Sequence, residues 1–515
     1  MILLVHNGIT VDEVCLVTNN ITIDFNPNES IISVLKEVSI TYPDELLVWV
    51  KRDYKALLDY NEIESFFYHK CIMASYSVTG NYCISSRIGY VEQTPFTNVS
   101  RDVSFPTWLM STDVGGIFTE TFNRIIETVS SNKNPDYFLT SLAKHNMPLG
   151  LFCYSNPKFL KQNAEQKTIE RSSVLLLFKF VKQHYKSVWV FNLFVCYILF
   201  EKQLPVFPFL NALFYKRNKK KVYLDPLRFA STKPTITNKT IDVIIPTIGR
   251  KEHLFNVLKD LEKQTLLPNN VIIIEQNPDK GSKSELDYLQ NQSWPFNIIH
   301  KFLKSTGVCK ARNMALKFVD SDWCFFADDD IRIEPNLIEN IFKTIEVLGV
   351  ENLNLLCLQP HEKQSYFYVS QTDIFGSGSS IVKTSFLDKV VFDTSFEFGY
   401  GEDSDFGMQL RKVGADIIFI PTIRITHLKA PIGGFRTKHM TRWETESIQP
   451  KPSPTLMVFI KKHYNTFQTV GYKYTLFLKF YKKQKVKNPI AYFKLMQKQW
   501  KQSEYWSEKL MKNNA

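Results

Sequence analysis

A chain of 515 residues, 44% hydrophobic and 22% charged, holds enough apolar material for two or three domains with sizeable cores, which excludes a disordered chain. The formal charge of +12 is not spread evenly: Lys451 to Ala515 holds fourteen lysines against Glu504 and Glu508, which equals the whole excess and leaves the first 450 residues neutral. A neutral body with a basic, aromatic tail excludes a basic-stripe nucleic-acid binder, since no zinc spacing or RNA-binding signature accompanies it, and favours an anionic phospholipid layer as partner.

The amino terminus, MILLVHNG, lacks the basic segment and long apolar core of a signal peptide. The most apolar run, Ser187 to Phe200, is fourteen residues and contains Asn192, whereas a spanning helix needs about 20. Eight scattered cysteines without a C-x-x-C pair fit reduced thiols. These features predict a cytoplasmic protein that does not cross the membrane but can be peripheral on its inner face.

Three segments of the first half recur in the second, in the same order. NEIESFF (Asn61 to Phe67) lies on NLIENIF (Asn336 to Phe342), DYFLTSLAKHNMPLGLF (Asp136 to Phe152) on SDFGMQLRKVGADIIFI (Ser404 to Ile420), and FVKQHY (Phe180 to Tyr185) on FIKKHY (Phe459 to Tyr464). The order predicts a duplicated unit, with residues 1–220 first, a Pro/Thr/Asn-containing linker over 221–240, a second unit over 241–445, and a basic helical tail over 446–515. Acids of the second unit have no counterpart in the first: FFADDD stands opposite VWVKRDY (Val48 to Tyr54), and GEDSD opposite Lys133, Asn134 and Pro135. The first unit is expected to be non-catalytic.

In the second unit, IDVIIPTIGR (Ile241 to Arg250) predicts a buried strand feeding a helix, and VIIIEQN (Val271 to Asn277) the next strand of a parallel βαβ, placing Thr247 and Glu275 at ligand-facing strand ends. The helix predicted in Gly307 to Val319 carries Lys310, Arg312 and Asn313 in its first turns, a basic start suited to a diphosphate; a solvated face is the alternative for Lys310. DWCFFADDD (Asp322 to Asp330) is an apolar strand ending in three carboxylates, whose mutual repulsion calls for a cation such as magnesium or manganese, unless they only form an acidic turn. Glu402 and Asp403 open a further helix, where its dipole is expected to keep them ionised, ready for general-base work or merely as caps. His427 lies near the end of a later strand, where a lone histidine is more often structural.

In this order IPTIGR, ARN (Ala311 to Asn313), ADDD and GEDSDFG resemble the motifs of the family 2 glycosyltransferases, over roughly 190 residues. The resemblance implies a GT-A fold, α/β with a Rossmann-like, mostly parallel sheet, preceded by a degenerate GT-A-like amino-terminal domain that lacks the first strand and helix. It also implies site roles: Pro246, Thr247, Arg250 and Glu275 line the nucleotide pocket, Arg312 lies near the diphosphate, and Asp328 and Asp329 bind the donor. Asp330 and His427 hold a divalent metal, Mn2+ or Mg2+, and Asp403, supported by Glu402, is the catalytic base. The implied reaction is inverting transfer from a nucleotide-sugar, taken as a UDP-sugar, to a hydroxyl of a glycan or lipid-linked glycan. EQN departs from the family's usual acidic pair and leaves the base open. A sugar nucleotidyltransferase, which should show a glycine-rich loop that PTIGR is not, and a non-catalytic sugar-nucleotide-binding or assembly protein are the competing classes. The tail's Leu456, Phe459, Ile460, Leu476, Phe477, Leu478 and Phe480 suit either a membrane interface or packing on the transferase core.

Overall fold

The computed structural model describes residues 1–161, 172–431 and 440–512; the predicted units therefore include stretches, 162–171, 432–439 and 513–515, that lie outside the described residues. Short β-branched and aromatic runs bounded by turn residues form strands throughout. The first sheet is built from β1 (Ile2–His6), β2 (Val11–Leu16), β3 (Ile21–Thr22), β4 (Leu46–Lys51), β5 (Ile72–Tyr76), β6 (Phe105–Pro106), β7 (Val114–Phe118) and β8 (Phe152–Ser155), in the order β3-β2-β1-β4-β7-β5-β8-β6. The second is built from β9 (Ile241–Thr247), β10 (Asn270–Gln276), β11 (Asn297–Leu303), β12 (Trp323–Ala327), β13 (Ile331–Ile333), β14 (Asn352–Leu358), β15 (Ser370–Gln371), β16 (Ser379–Lys383) and β17 (Ile418–His427). Its order is β11-β10-β9-β12-β16-β14-β17-β13, with β15 on β17.

The predicted βαβ forms around helix Lys251–Glu262, whose Leu254, Val257, Leu258 and Leu261 are buried. Strands β11, β10, β9 and β12 are mutually parallel, so Thr247, Gln276, Leu303 and Ala327 end on the same edge. Beyond β12 the sheet is mixed, because β16 runs antiparallel between β12 and β14.

The two sheets share a pairing pattern. Neighbours β1-β4-β7-β5-β8 pair parallel, antiparallel, antiparallel and parallel. Neighbours β9-β12-β16-β14-β17 repeat that sequence. The matched segments fall on helices Tyr60–Phe66 and Leu337–Leu348, Pro135–Asn146 and Glu402–Lys412, and Val174–His184 and Pro454–His463. Even a contact is conserved in position: Asp405 pairs with Lys462 at 2.6 Å, and at the aligned places Tyr137 bonds to Gln183 at 2.5 Å. One expectation is corrected. The first unit keeps the first strand, as β1, and what it lacks is a counterpart of helix Lys251–Glu262 with the two parallel strands behind it; the antiparallel β1-β2-β3 ribbon stands there instead. A tight hairpin cannot return a strand parallel, so the crossover to parallel β4 is made after the ribbon, by helix Ile31–Thr41.

Apolar residues of both units, from Leu3 and Val48 to Val243 and Ile418, form one contiguous buried cluster. Gln371 of β15 ties the units polarly, accepting from Cys153 N at 2.5 Å and donating to Asp416 at 2.6 Å. The tail folds into helices Pro454–His463, Thr466–Tyr481 and Pro489–Lys512. The first packs on Glu402–Lys412, where buried Asp405 takes Lys462 and, at 2.7 Å, His463. The second crosses the 3-10 turn Ser86–Tyr90 of the first unit so closely that a Cβ on Gly471 would sit 2.6 Å from Tyr90 Cα. Of the tail residues named for a membrane interface, Ile460, Leu476 and Phe477 are buried and only Leu478 is exposed, so that set is largely spent on packing. Among the described residues no helix is long and apolar enough to cross a membrane.

Candidate active site

The strand ends of the second sheet, and the helix starts beside them, bring several of the predicted residues into contact. Register sets Thr247 beside Glu275, while the antiparallel pairing of β13 with β17 puts His427 opposite Ile331, next to Asp330. Pro246 precedes Thr247 in β9, opposite Ile274. Gly249, with φ +61, turns the chain so that Arg250 faces the acids before helix Lys251–Glu262 begins.

Each of the three consecutive aspartates meets a different environment. Asp328 is 36% exposed. Asp329 is 2% exposed and accepts from Thr247 Oγ1 at 2.7 Å and Arg250 Nη1 at 2.5 Å; burial raises its pKa to about 6 against these two donors. Asp329, expected to bind donor, thus has one oxygen engaged by Thr247 and the other by Arg250. Asp330 is pulled up by burial, but His427 at 3.1 Å, the Ala430 N–H at 2.8 Å and Arg250 outweigh it and bring its pKa down to about 2. One ligand atom each from Asp328, Asp330 and His427 lie within 4.8 Å of one another, an oxygen and imidazole set that fits a manganese-like ion.

Arg312 joins this group to the second pair of acids. Its side chain is 7% exposed and stacks over Phe392 at 5.3 Å, with one nitrogen 3.7 Å from Asp328 and another 3.8 Å from Asp403. Its Nε and Nη1 have no hydrogen-bond partner. Glu402 and Asp403 start helix Glu402–Lys412 after Gly401, which has φ +119. The dipole does not keep them at ordinary acidity. Burial, then repulsion from Asp403, raises Glu402 to about 7, and loss of water raises Asp403 as well, although Arg312 and Ser377 oppose it.

Two contacts escaped the sequence. Ser377 donates its hydroxyl to Asp403, and its N–H approaches the same carboxylate at 3.4 Å. Gly378 lies so near Asp328 that a Cβ would be 2.2 Å from its oxygen. The small-residue run Gly376 to Ser380 was the available signal. A second correction concerns the helix start at Val308: Glu397 already accepts from the Lys310 N–H at 2.8 Å, and Lys310 itself is exposed. Asn313 is clamped in both directions to the backbone of Phe392. Glu275, 6% exposed, bonds His300 at 2.9 Å and the Glu285 N–H at 3.1 Å; these contacts overcome the upward pull of burial and lower its pKa.

Residues 242–368 match the family model described as Glycosyl transferase family 2. An uncharacterized glycosyltransferase of Haemophilus influenzae is 29% identical over 106 residues, 21% of this chain and 34% of that protein. The minor teichoic acid biosynthesis protein GgaB of Bacillus subtilis is 29% identical over 107 residues, 20% of this chain and 12% of that protein. These matches thus span 34% and 12% of the relatives' lengths. A solved structure of S. aureus TarS 1-349 in complex with UDP-GlcNAc aligns at 16% identity and a TM-score of 0.35, covering 44% of this chain and 66% of that one. The family-model match falls on the β9-to-β14 region that carries Thr247, Glu275, Arg312 and the three aspartates, so it is this part of the second unit that is similar to glycosyl transferase family 2.

Proposed function

We propose that residues 241–445 transfer a sugar, with inversion, from a nucleotide-sugar, taken as a UDP-sugar, to a hydroxyl of a glycan or lipid-linked glycan at the inner face of the membrane. In this reading residues 1–220, joined through 221–240, are a non-catalytic partner unit, and 446–515 form a brace. The observation that supports it is Arg312, which lies 3.7 Å from Asp328 and 3.8 Å from Asp403 and so links the two acid groups.

Asp403 accepts the proton of the acceptor hydroxyl as that oxygen attacks the anomeric carbon and the bond to the nucleoside diphosphate breaks. A raised carboxylate pKa makes it a stronger base than an ordinary aspartate. Glu402 titrates with it. Arg312, with nitrogens free of hydrogen bonds, supplies positive charge where the leaving diphosphate grows negative. Thr247, Arg250 and Glu275 shape the nucleotide end, with Asp329 fixing the first two. Asp328, Asp330 and His427 would hold the divalent ion, which when bound neutralises phosphate charge as a Lewis acid.

Transfer from labelled UDP-sugars in manganese tests this reading. Asp403→Asn is expected to lower kcat by at least about 100-fold with donor binding retained. Undiminished turnover would remove Asp403 from the mechanism, and a retained anomeric configuration in the product would remove inversion.

A further inference from the structure

After the equivalent helices Val174–His184 and Pro454–His463 the two units part company. Thr466–Tyr481 finds the first unit to lie on, whereas the segments that follow Val174–His184, helices Val188–Cys196, Tyr197–Glu201 and Val206–Leu213, have no further unit beyond them among the described residues. Their inner residues Val190, Leu193, Cys196, Tyr197 and Ala212 are buried in the first unit's core, so the segments are held in place. Their outer side is apolar. Eleven large apolar side chains between 188 and 214 are exposed, against seventeen over all other described residues; Leu204, Phe207 and Phe214 reach 67%, 70% and 87%. A patch of this density on a folded surface marks an interaction site.

Charge identifies the occupant. Between 186 and 221 there are seven lysines and arginines, five of them in Lys216 to Lys221, and a single acid. That acid, Glu201, is taken by Arg87 at 2.9 Å and Tyr90 at 2.7 Å. The face also continues into the tail: Phe200 meets Tyr474 at 6.5 Å, beside exposed Leu478 and the lysine-rich end of that helix. A second copy docked symmetrically on this face would bring the same cationic rim against itself.

We infer that the 188–214 face docks the protein on an anionic phospholipid surface, with its apolar side chains in the headgroup boundary and the cations of 216–221 on lipid phosphates. It extends the lipid-linked-acceptor part of the transfer reading, but its test needs no turnover.

Flotation of the full chain with phosphatidylcholine vesicles, with and without phosphatidylglycerol, decides the matter. The protein is expected to float with the anionic vesicles only, and less at high salt. The exposed triple variant Phe207→Ser/Leu210→Ser/Phe214→Ser is expected to lose binding at least about tenfold, with unchanged melting temperature and unchanged transfer to a soluble acceptor. Asp403→Asn should float like the parent, so failure of catalysis and failure of docking are read separately. Equal flotation of parent and triple variant overturns the inference. So does absence of flotation, or a dimer that the triple substitution dissociates in sedimentation equilibrium.

Discussion

A guanidinium that is 7% exposed, with two nitrogens lacking hydrogen-bond partners, is costly, and at Arg312 the compensation comes from Asp328 and Asp403 on either side. The letters of ADDD, ARN and GED were legible because carboxylates and an arginine at strand ends and helix starts are chemically conspicuous. Ser377 and Gly378 were not, since small residues in a loop read as a turn until the fold shows which acids they touch. Ser377 donates to the ionised form of Asp403, so Ser377→Ala should raise that carboxyl further. The acid limb of kcat/KM against pH should then move to higher pH, with activity lost as protons return to the Glu402–Asp403 pair; an unmoved limb would deny Ser377 that role. At Gly378, alanine would press on Asp328, and manganese affinity, read by thermal shift, is expected to fall at least about tenfold.

Helices and strands were read from periodicity where one face was buried, as in Lys251–Glu262, and the repeat was read from three helical segments. The strand order that makes the repeat convincing was not readable, because β pairing depends on partners distant in sequence. For the same reason the absence of a first strand was misread: β1 is a five-residue apolar run whose place beside β4 is fixed only in the sheet. The tail helix Pro454–His463 is anchored through Asp405, 1% exposed, to Lys462 and His463. Burial raises Asp405, yet these two partners prevail and keep its pKa low. Asp405→Asn leaves Lys462 with Asp393 alone, and should cost roughly 3 kcal/mol in urea unfolding, the lower part of the range for a broken buried pair. A cost below about 1 kcal/mol would show the tail to be held by apolar packing only.

Across the whole molecule one apolar cluster spans both units, so they should unfold together rather than as separate domains. The pH dependence of that unfolding has an identifiable contributor in the first unit. Glu92 is pulled up by burial, but Lys144 at 2.5 Å and Tyr185 at 2.6 Å carry its pKa down to about 2. A depressed folded-state pKa stabilises above the unfolded value near 4.5, and that contribution is lost as pH falls toward 2. Thermal melting between those limits should drop less steeply for Glu92→Gln than for the parent. The sequence by itself determined the α/β class, the matching helical segments and the identity of the acids and basic groups, because local periodicity and charge are written residue by residue. Only the tertiary structure decided which carboxylates share Arg312, that Asp329 turns inward and Glu397 caps the 308 helix, and that the open apolar face lies at 188–214 rather than in the tail. Those outcomes depend on distances between residues far apart in the chain, and a linear pattern holds no measure of them.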